Sequence, residues 1–173
     1  MQKNRNFSTL NYTKKLVESL VLAKINFACT LYLGLPEKLF KKLQKIQNFG
    51  ARIITKSPRR NHITPVLKSL NCLPVKEFSK YRLLILVYQC LNHNAPLYLS
   101  YLIHIYEPNR NLRSINKYLF TIPNLNTQLA RRSSSFSAPQ YWNPLPLIIK
   151  TSSSLQQFKK AVRKHIFEHI FSD

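Results

Sequence analysis

Three cysteines and five histidines are the side chains best suited to hold a metal or attack a substrate. Cys90 and His93 are spaced like a ligand pair, with Cys72 and His62 upstream. A structural zinc site normally takes two such close pairs. Here the second pair is spread over ten residues, and Cys90 sits in the most hydrophobic stretch of the chain, where a free thiol packs as a small hydrophobe. Cys90 is therefore read as a core residue, and no metal is expected. Nucleophilic catalysis by a Cys–His or Ser–His pair needs a third group to orient the base, and no histidine here stands in such a motif. His62 precedes Ile63-Thr64-Pro65 and reads as a local capping or hydrogen-bonding residue. The acids are Glu18, Glu37, Glu77, Glu107, Glu168 and the terminal Asp173. Two-metal nucleotidyl transfer needs clustered carboxylates, and an EF-hand needs Asp at alternate positions. Neither can be assembled from this set. With only Gly34 and Gly50 present, a phosphate-cradling loop or dinucleotide turn is excluded as well. No catalytic residue, no cofactor and no enzymatic activity of this chain alone are expected.

The chemistry that does stand out is cationic. The 173 residues hold 27 Lys and Arg against 6 acids, a formal net charge of +21. The excess is spread evenly: residues 1–60 carry 13 basic side chains against 2 Glu, and residues 61–173 carry 14 against 4 acids. A field of this size calls for a polyanion, with nucleic acid first and an anionic membrane surface second. Basic helix faces are usually solvated faces that mix both signs. Near-exclusion of acids favours phosphate contact instead. The residues expected to make it are Lys38, Lys41, Lys42, Lys45, Arg52, Arg59 and Arg60, then Arg131 and Arg132. Tyr141 and Trp142 have the π faces to stack on bases, but core packing is the expected role. The longest aliphatic-aromatic run, Leu83 to Tyr88, is far short of the roughly 20 residues of a membrane span, and no membrane partner is expected. Three cysteines form no even disulfide framework and no secretory signal is read at the N-terminus, so an intracellular place, nucleus or cytoplasm, is expected.

The elements that must carry these residues read as mainly α, an irregular helical bundle. Residues 1–13 read as a polar, basic extension, frayed over Met1 to Asn6. Residues 14–106 form the helical region. A first helix is expected from about Tyr12 to Leu33, with Leu16, Leu20, Ala23 and Phe27 as its apolar stripe and Gly34 as its stop. Pro36 and Glu37 open a second helix, which runs to about Thr55. Its stripe is Leu39, Leu43, Ile46, Gly50 and Ile53 or Ile54, and Gly50 suggests a close helix neighbour. A short helix, Pro65 to Leu70, is capped by Thr64. Leu73-Pro74-Val75 begins a helix that is apolar all round in its second half and so belongs at the centre of the core. Pro96 starts another short one. Residues 107–150 are loop-rich, with a Pro/Ser/Asn-rich segment near 112–146 in which Tyr118 to Ile122 suits a short strand. Arg131 to Ser135 reads as an exposed basic loop, and Phe136 to Pro146 as packed chain without regular structure. Residues 151–173 form an amphipathic basic helix. It is capped by Ser152 to Ser154 with Gln156 or Gln157, and its stripe is Leu155, Phe158, Val162, Ile166 and Ile170.

Five segments together carry a family resemblance. They are GLP (Gly34 to Pro36), LQKIQNFGARIITK (Leu43 to Lys56), HITPVLKSLNCLPV (His62 to Val75), YRLLILVYQCLNHNAPLYLSYLI (Tyr81 to Ile103) and FSAPQYWNPLPLIIKTSSSLQQFKKAVRKHIF (Phe136 to Phe167). In this order and spacing they resemble the C-terminal part of reverse transcriptases from non-LTR retrotransposons, the jockey-like and chicken-repeat clades of LINE elements. The resemblance runs from about Lys14 to Phe171, and its motifs are structural rather than catalytic. It implies a thumb-like, post-palm region that handles RNA or DNA, with the endonuclease and the Tyr-x-Asp-Asp polymerase site upstream of this chain. The family usually carries Leu-Asp-Tyr-Cys-Asn before GLP, and this chain has Ile25 to Cys29 there, without the acid. Two further readings stay open. The chain is the end of an intact RNA-directed DNA polymerase whose upstream part is read separately, or it is a structural module that packs on the palm of such an enzyme.

Overall fold

The computed structural model describes residues 10–92, 94–107 and 118–171, and within them the fold is mainly α with no strand. The frayed segment Met1 to Asn6 and the metal-pair residue His93 lie outside the described residues. Of the extension expected over 1–13, residues 10–13 are already helical. Helix α1 (Leu10–Val17) continues through a π-helical turn (Glu18–Leu22) into α2 (Ala23–Asn26). Val17 and Ile25 are buried and Val21 is half-buried beside them, while Leu16, Leu20, Ala23 and Phe27 stay exposed. The expected stripe is therefore on the wrong side: Val17 of α1, before the π turn, already packs on Gly50 of the next long helix. The expected helix also ends early. Phe27 is extended and Ala28 is left-handed (φ 49°). A 3-10 helix (Cys29–Gly34) then lies along the helix that follows third below.

Gly34 has a different role from the expected helix stop. Its φ is not positive. A Cβ there would stand 2.7 Å from the carbonyl oxygen of Arg132 and 2.9 Å from the Arg132 Cβ. Backbone meets backbone, so nothing nearby can yield. Gly34→Ala is expected to cost about 1–3 kcal/mol of stability by overpacking, read as a lower urea midpoint. Gly50→Ala meets only Val17 Cγ1, at 2.9 Å. A gain in helix propensity of about 1 kcal/mol offsets that crowding, so its midpoint should move much less.

Helix α3 (Glu37–Thr55) has the expected bounds, and Val17 against Gly50 is the expected close neighbour. Its buried face is Phe40, Gln47, Gly50, Ala51 and Ile54, rotated from the expected stripe, since Leu39, Ile46 and Ile53 are exposed. Helix α4 (Ile63–Ser69) starts earlier than expected. His62 occupies the capping position without a side-chain bond, and Pro65 falls in the first turn, where no amide partner is lost. Helix α5 (Val75–Leu91) is the central core helix, and α6 (Leu97–Ser100) follows Pro96. Gln44 and Gln47 of α3 hold the entry to α5. Val75 N–H donates to Gln44 Oε1 at 2.9 Å, Gln47 Nε2 donates to the Leu73 carbonyl at 2.8 Å, and Gln44 Nε2 donates to Gln47 Oε1 at 2.8 Å.

The segment expected to be irregular is partly helical. A 3-10 turn (Ala130–Arg132) takes the place of the expected loop, and α7 (Ser134–Trp142) forms despite Pro139 in its interior. Helix α8 (Leu147–Lys150) leads into α9 (Leu155–Phe171). Prolines 139, 144 and 146 read as breakers, yet burial of Ser137, Ala138, Pro139 and Trp142 holds the turn. The strand expected over Tyr118 to Ile122 is reduced to one antiparallel bridge between Ile105 and Phe120. Asn143 completes it like a second strand: its Oδ1 accepts from Phe120 N–H and its Nδ2 donates to the Phe120 carbonyl, both at 2.9 Å.

The main core joins α5, α7 and α9, with Tyr88 stacked on Phe158 at 4.2 Å and Trp142 against Phe158 at 5.8 Å. Phe158, Val162, Ile166 and Phe171 are buried there or in the smaller cluster with Ala51, Val66 and Leu67. The apolar face of α9 is thus spent on the core. Ser154 caps α9 through the Gln157 amide (3.3 Å), while the Gln157 side chain accepts from Ser153 (2.7 Å).

Candidate functional site

The expected contact residues fall into three groups. Lys38, Lys41, Lys42 and Lys45 lie exposed on the N-terminal half of α3. Arg52, Arg59 and Arg60 lie at its far end, and a 19-residue helix spans about 28 Å. Arg59 and Arg60 are exposed in the loop after α3. Arg52 is partly buried and already engaged: its guanidinium donates to the carbonyls of Pro58 and Asn61 (2.9 Å for Asn61) and so ties that loop down. It presents Arg59 and Arg60 more than it offers itself. Arg131 Nε likewise donates to the Leu125 carbonyl at 3.0 Å. Arg132 is exposed, with its backbone pressed on Gly34 three residues before α3 begins. Arg131 and Arg132 therefore lie toward the Lys38 end, away from Arg59 and Arg60.

The electrostatics of this face follow from where the few acids go. Glu18 pairs with Lys14 (4.0 Å), Glu37 with Lys76 (3.1 Å), Glu77 with Lys80 (2.8 Å) and Glu168 with Lys164 (3.7 Å). Surface pairs of this kind add little stability. What matters is their placement: among the described residues, no ion pair involves Lys38, Lys41, Lys42 or Lys45. Their mutual repulsion is left for an external anion to relieve.

The cysteines lie elsewhere. Cys29 and Cys90 are buried, and all three thiols are pushed above their ordinary value by burial. At Cys29 the Arg82 guanidinium opposes that shift without overcoming it. A thiol held protonated is a poor nucleophile and metal ligand. No cluster of three metal-binding side chains occurs among the described residues. Tyr141 is half-buried with Lys80 over its ring at 5.2 Å, and Trp142 is 0 % exposed. Trp142 therefore belongs to the core.

Two features escaped the sequence reading. A cleft of about 230 Å³ is lined by Glu77, Lys80, Tyr141, His165 and His169 among others. Its carboxylate, Glu77, is paired with Lys80 at 2.8 Å. The second is Phe49, 58 % exposed among the lysines of α3. No local pattern in the sequence marks it as exposed, because it stands only about 100° round the helix from buried Gly50. No helix among the described residues is long and apolar enough to cross a membrane. Comparison with protein-family models, curated proteins and solved structures returns no match.

Proposed function

We propose that this chain binds RNA or DNA through the lysine sector of α3, as the C-terminal part of a LINE-type reverse transcriptase, without polymerase or endonuclease chemistry of its own. One observation carries the binding: four of the six acids, Glu18, Glu37, Glu77 and Glu168, pair with Lys14, Lys76, Lys80 and Lys164, while Lys38, Lys41, Lys42 and Lys45 are exposed and in no ion pair among the described residues. The element type rests on the order and spacing of the five segments that resemble that family. Binding of the purified chain to labelled single strands and duplexes, titrated from low to moderate salt, tests it. Affinity should be micromolar or better at low salt and fall steeply as salt rises. Absence of binding at low salt, or affinity indifferent to salt, refutes phosphate contact.

A second reading is favoured by the outer side of the N-terminal helical segment. Leu16 and Leu20 are exposed there, Leu20 by 64 %, and Phe27 and Leu31 are exposed just past its end, Phe27 by 78 %. Scattered apolar residues are normal on a surface, but several in one stretch of chain mark an interaction face. On this reading the chain packs on the palm of the same polymerase. Leu16→Ser with Leu20→Ser should then raise the solubility of the isolated chain at unchanged melting temperature. Unchanged solubility would count against this reading.

A further inference from the structure

Positions 38, 42, 45, 49 and 52 of α3 step by four and three, so they fall on one line of the helix. Four of the five are cations, Lys38, Lys42, Lys45 and Arg52, and Lys56 follows as the left-handed residue just past the helix end. The fifth is Phe49, 58 % exposed toward the far end of the line. Arg52 is turned onto the loop carbonyls, and the four lysines are exposed. On the core side of this line lie Leu39, Ile46 and Ile53, all exposed. On the other side lies Lys41, also exposed. The helix surface therefore has a cationic edge and an apolar edge, with Phe49 where they meet.

That asymmetry discriminates between polyanions. A duplex hides the faces of its bases and presents phosphates on both rims of a groove. A single strand has one anionic edge, its backbone, and one edge of unpaired bases with open π faces. A second copy of this chain would set lysine line against lysine line, and the nearest acid, Glu37, is paired with Lys76. Building on the nucleic-acid reading above, we infer that this face of α3 takes single-stranded nucleic acid in preference to duplex. One base stacks on Phe49, its neighbours lie over Ile46 and Ile53, and the backbone runs along Lys38, Lys42 and Lys45. The line from Lys38 to Arg52 measures about 21 Å at 1.5 Å per residue, enough for a site of at least about 4 nucleotides.

The test is fluorescence anisotropy of the full chain with a labelled oligodeoxythymidylate of about 12 nucleotides and a duplex of equal length, at low and moderate salt. The single strand should bind more tightly. Phe49→Ala should weaken it about tenfold, the usual worth of one stacked base, and leave duplex affinity and the salt slope unchanged. Phe49→Leu, which keeps apolar area without a π face, should behave like the alanine variant. Phe49→Trp should restore binding, with its emission quenched by the strand against the steady signal of buried Trp142. Equal weakening of single strand and duplex, or no weakening, overturns the stacking role while the nucleic-acid reading stands. Self-association that Phe49→Ala abolishes overturns it too, by giving the face to a second copy. No binding of either probe at low salt removes both readings. Phe49 is exposed, so each variant should melt with the parent chain, which keeps binding loss separate from unfolding.

Discussion

Trp142→Ala is expected to leave the chain at the edge of unfolding. Trp142 is wholly enclosed, with Phe120 at 5.4 Å and Phe158 at 5.8 Å between ring centres. Its Nε1–H donates to the Tyr118 carbonyl at 2.8 Å. Removing so large a buried ring costs about 3–5 kcal/mol, against a total stability of about 5–15 kcal/mol for an ordinary domain. The loss should exceed that of a core truncation elsewhere, because the ring also anchors Tyr118, whose backbone is left-handed (φ 47°). Trp142→Phe separates the two contributions. It retains most of the packing and removes the hydrogen bond to the Tyr118 carbonyl, a loss of about 0.5–1.5 kcal/mol. Urea titration followed by far-UV circular dichroism reads both variants. An alanine variant as stable as the parent would mean that α7 does not hold the 118–120 segment as described.

Replacing Lys38, Lys41, Lys42 and Lys45 together by glutamine is expected to have the largest effect on binding. Each lost phosphate contact lowers the salt slope by about 0.7–0.9, so the slope should flatten by about 3. Affinity at low salt should fall by about 100-fold or more. All four side chains are exposed, so stability should hold or rise slightly as self-repulsion eases. The control is a second quartet, Lys15, Lys24, Lys160 and Lys164, also exposed, which lowers net charge from +21 by the same amount. Equal losses from the two quartets would make binding a diffuse property of total charge, and α3 would not be the interface.

How far the site was legible depended on which residues did two jobs. The Lys38 to Lys45 group was visible because no acid interrupts it. Arg52 read as one of the same set, yet its guanidinium is committed to loop carbonyls twenty or more ångströms of helix away from Lys38. Nothing in a basic residue's identity says whether its donors face water or a neighbouring carbonyl. Phe49 was missed for the reverse reason. An aromatic near a stripe of Leu and Ile reads as core, and only the rotation of α3 shows it outside.

By itself, the sequence determined the mainly α class, the approximate span of α3, the central place of α5 and the stripe of α9 through Phe158, Val162 and Ile166. Those follow from local rules: proline and glutamate at a helix start, apolar period, composition. The tertiary structure alone decided which face of α1 and α3 is buried, that Gly34 serves contact with Arg132 and not a left-handed turn, and that α7 forms around Pro139. The physical reason is common to all three. The packing of Val17 on Gly50, a backbone contact across about 100 residues of chain and the burial of a Pro-containing turn each depend on groups distant in sequence, and no local pattern encodes them.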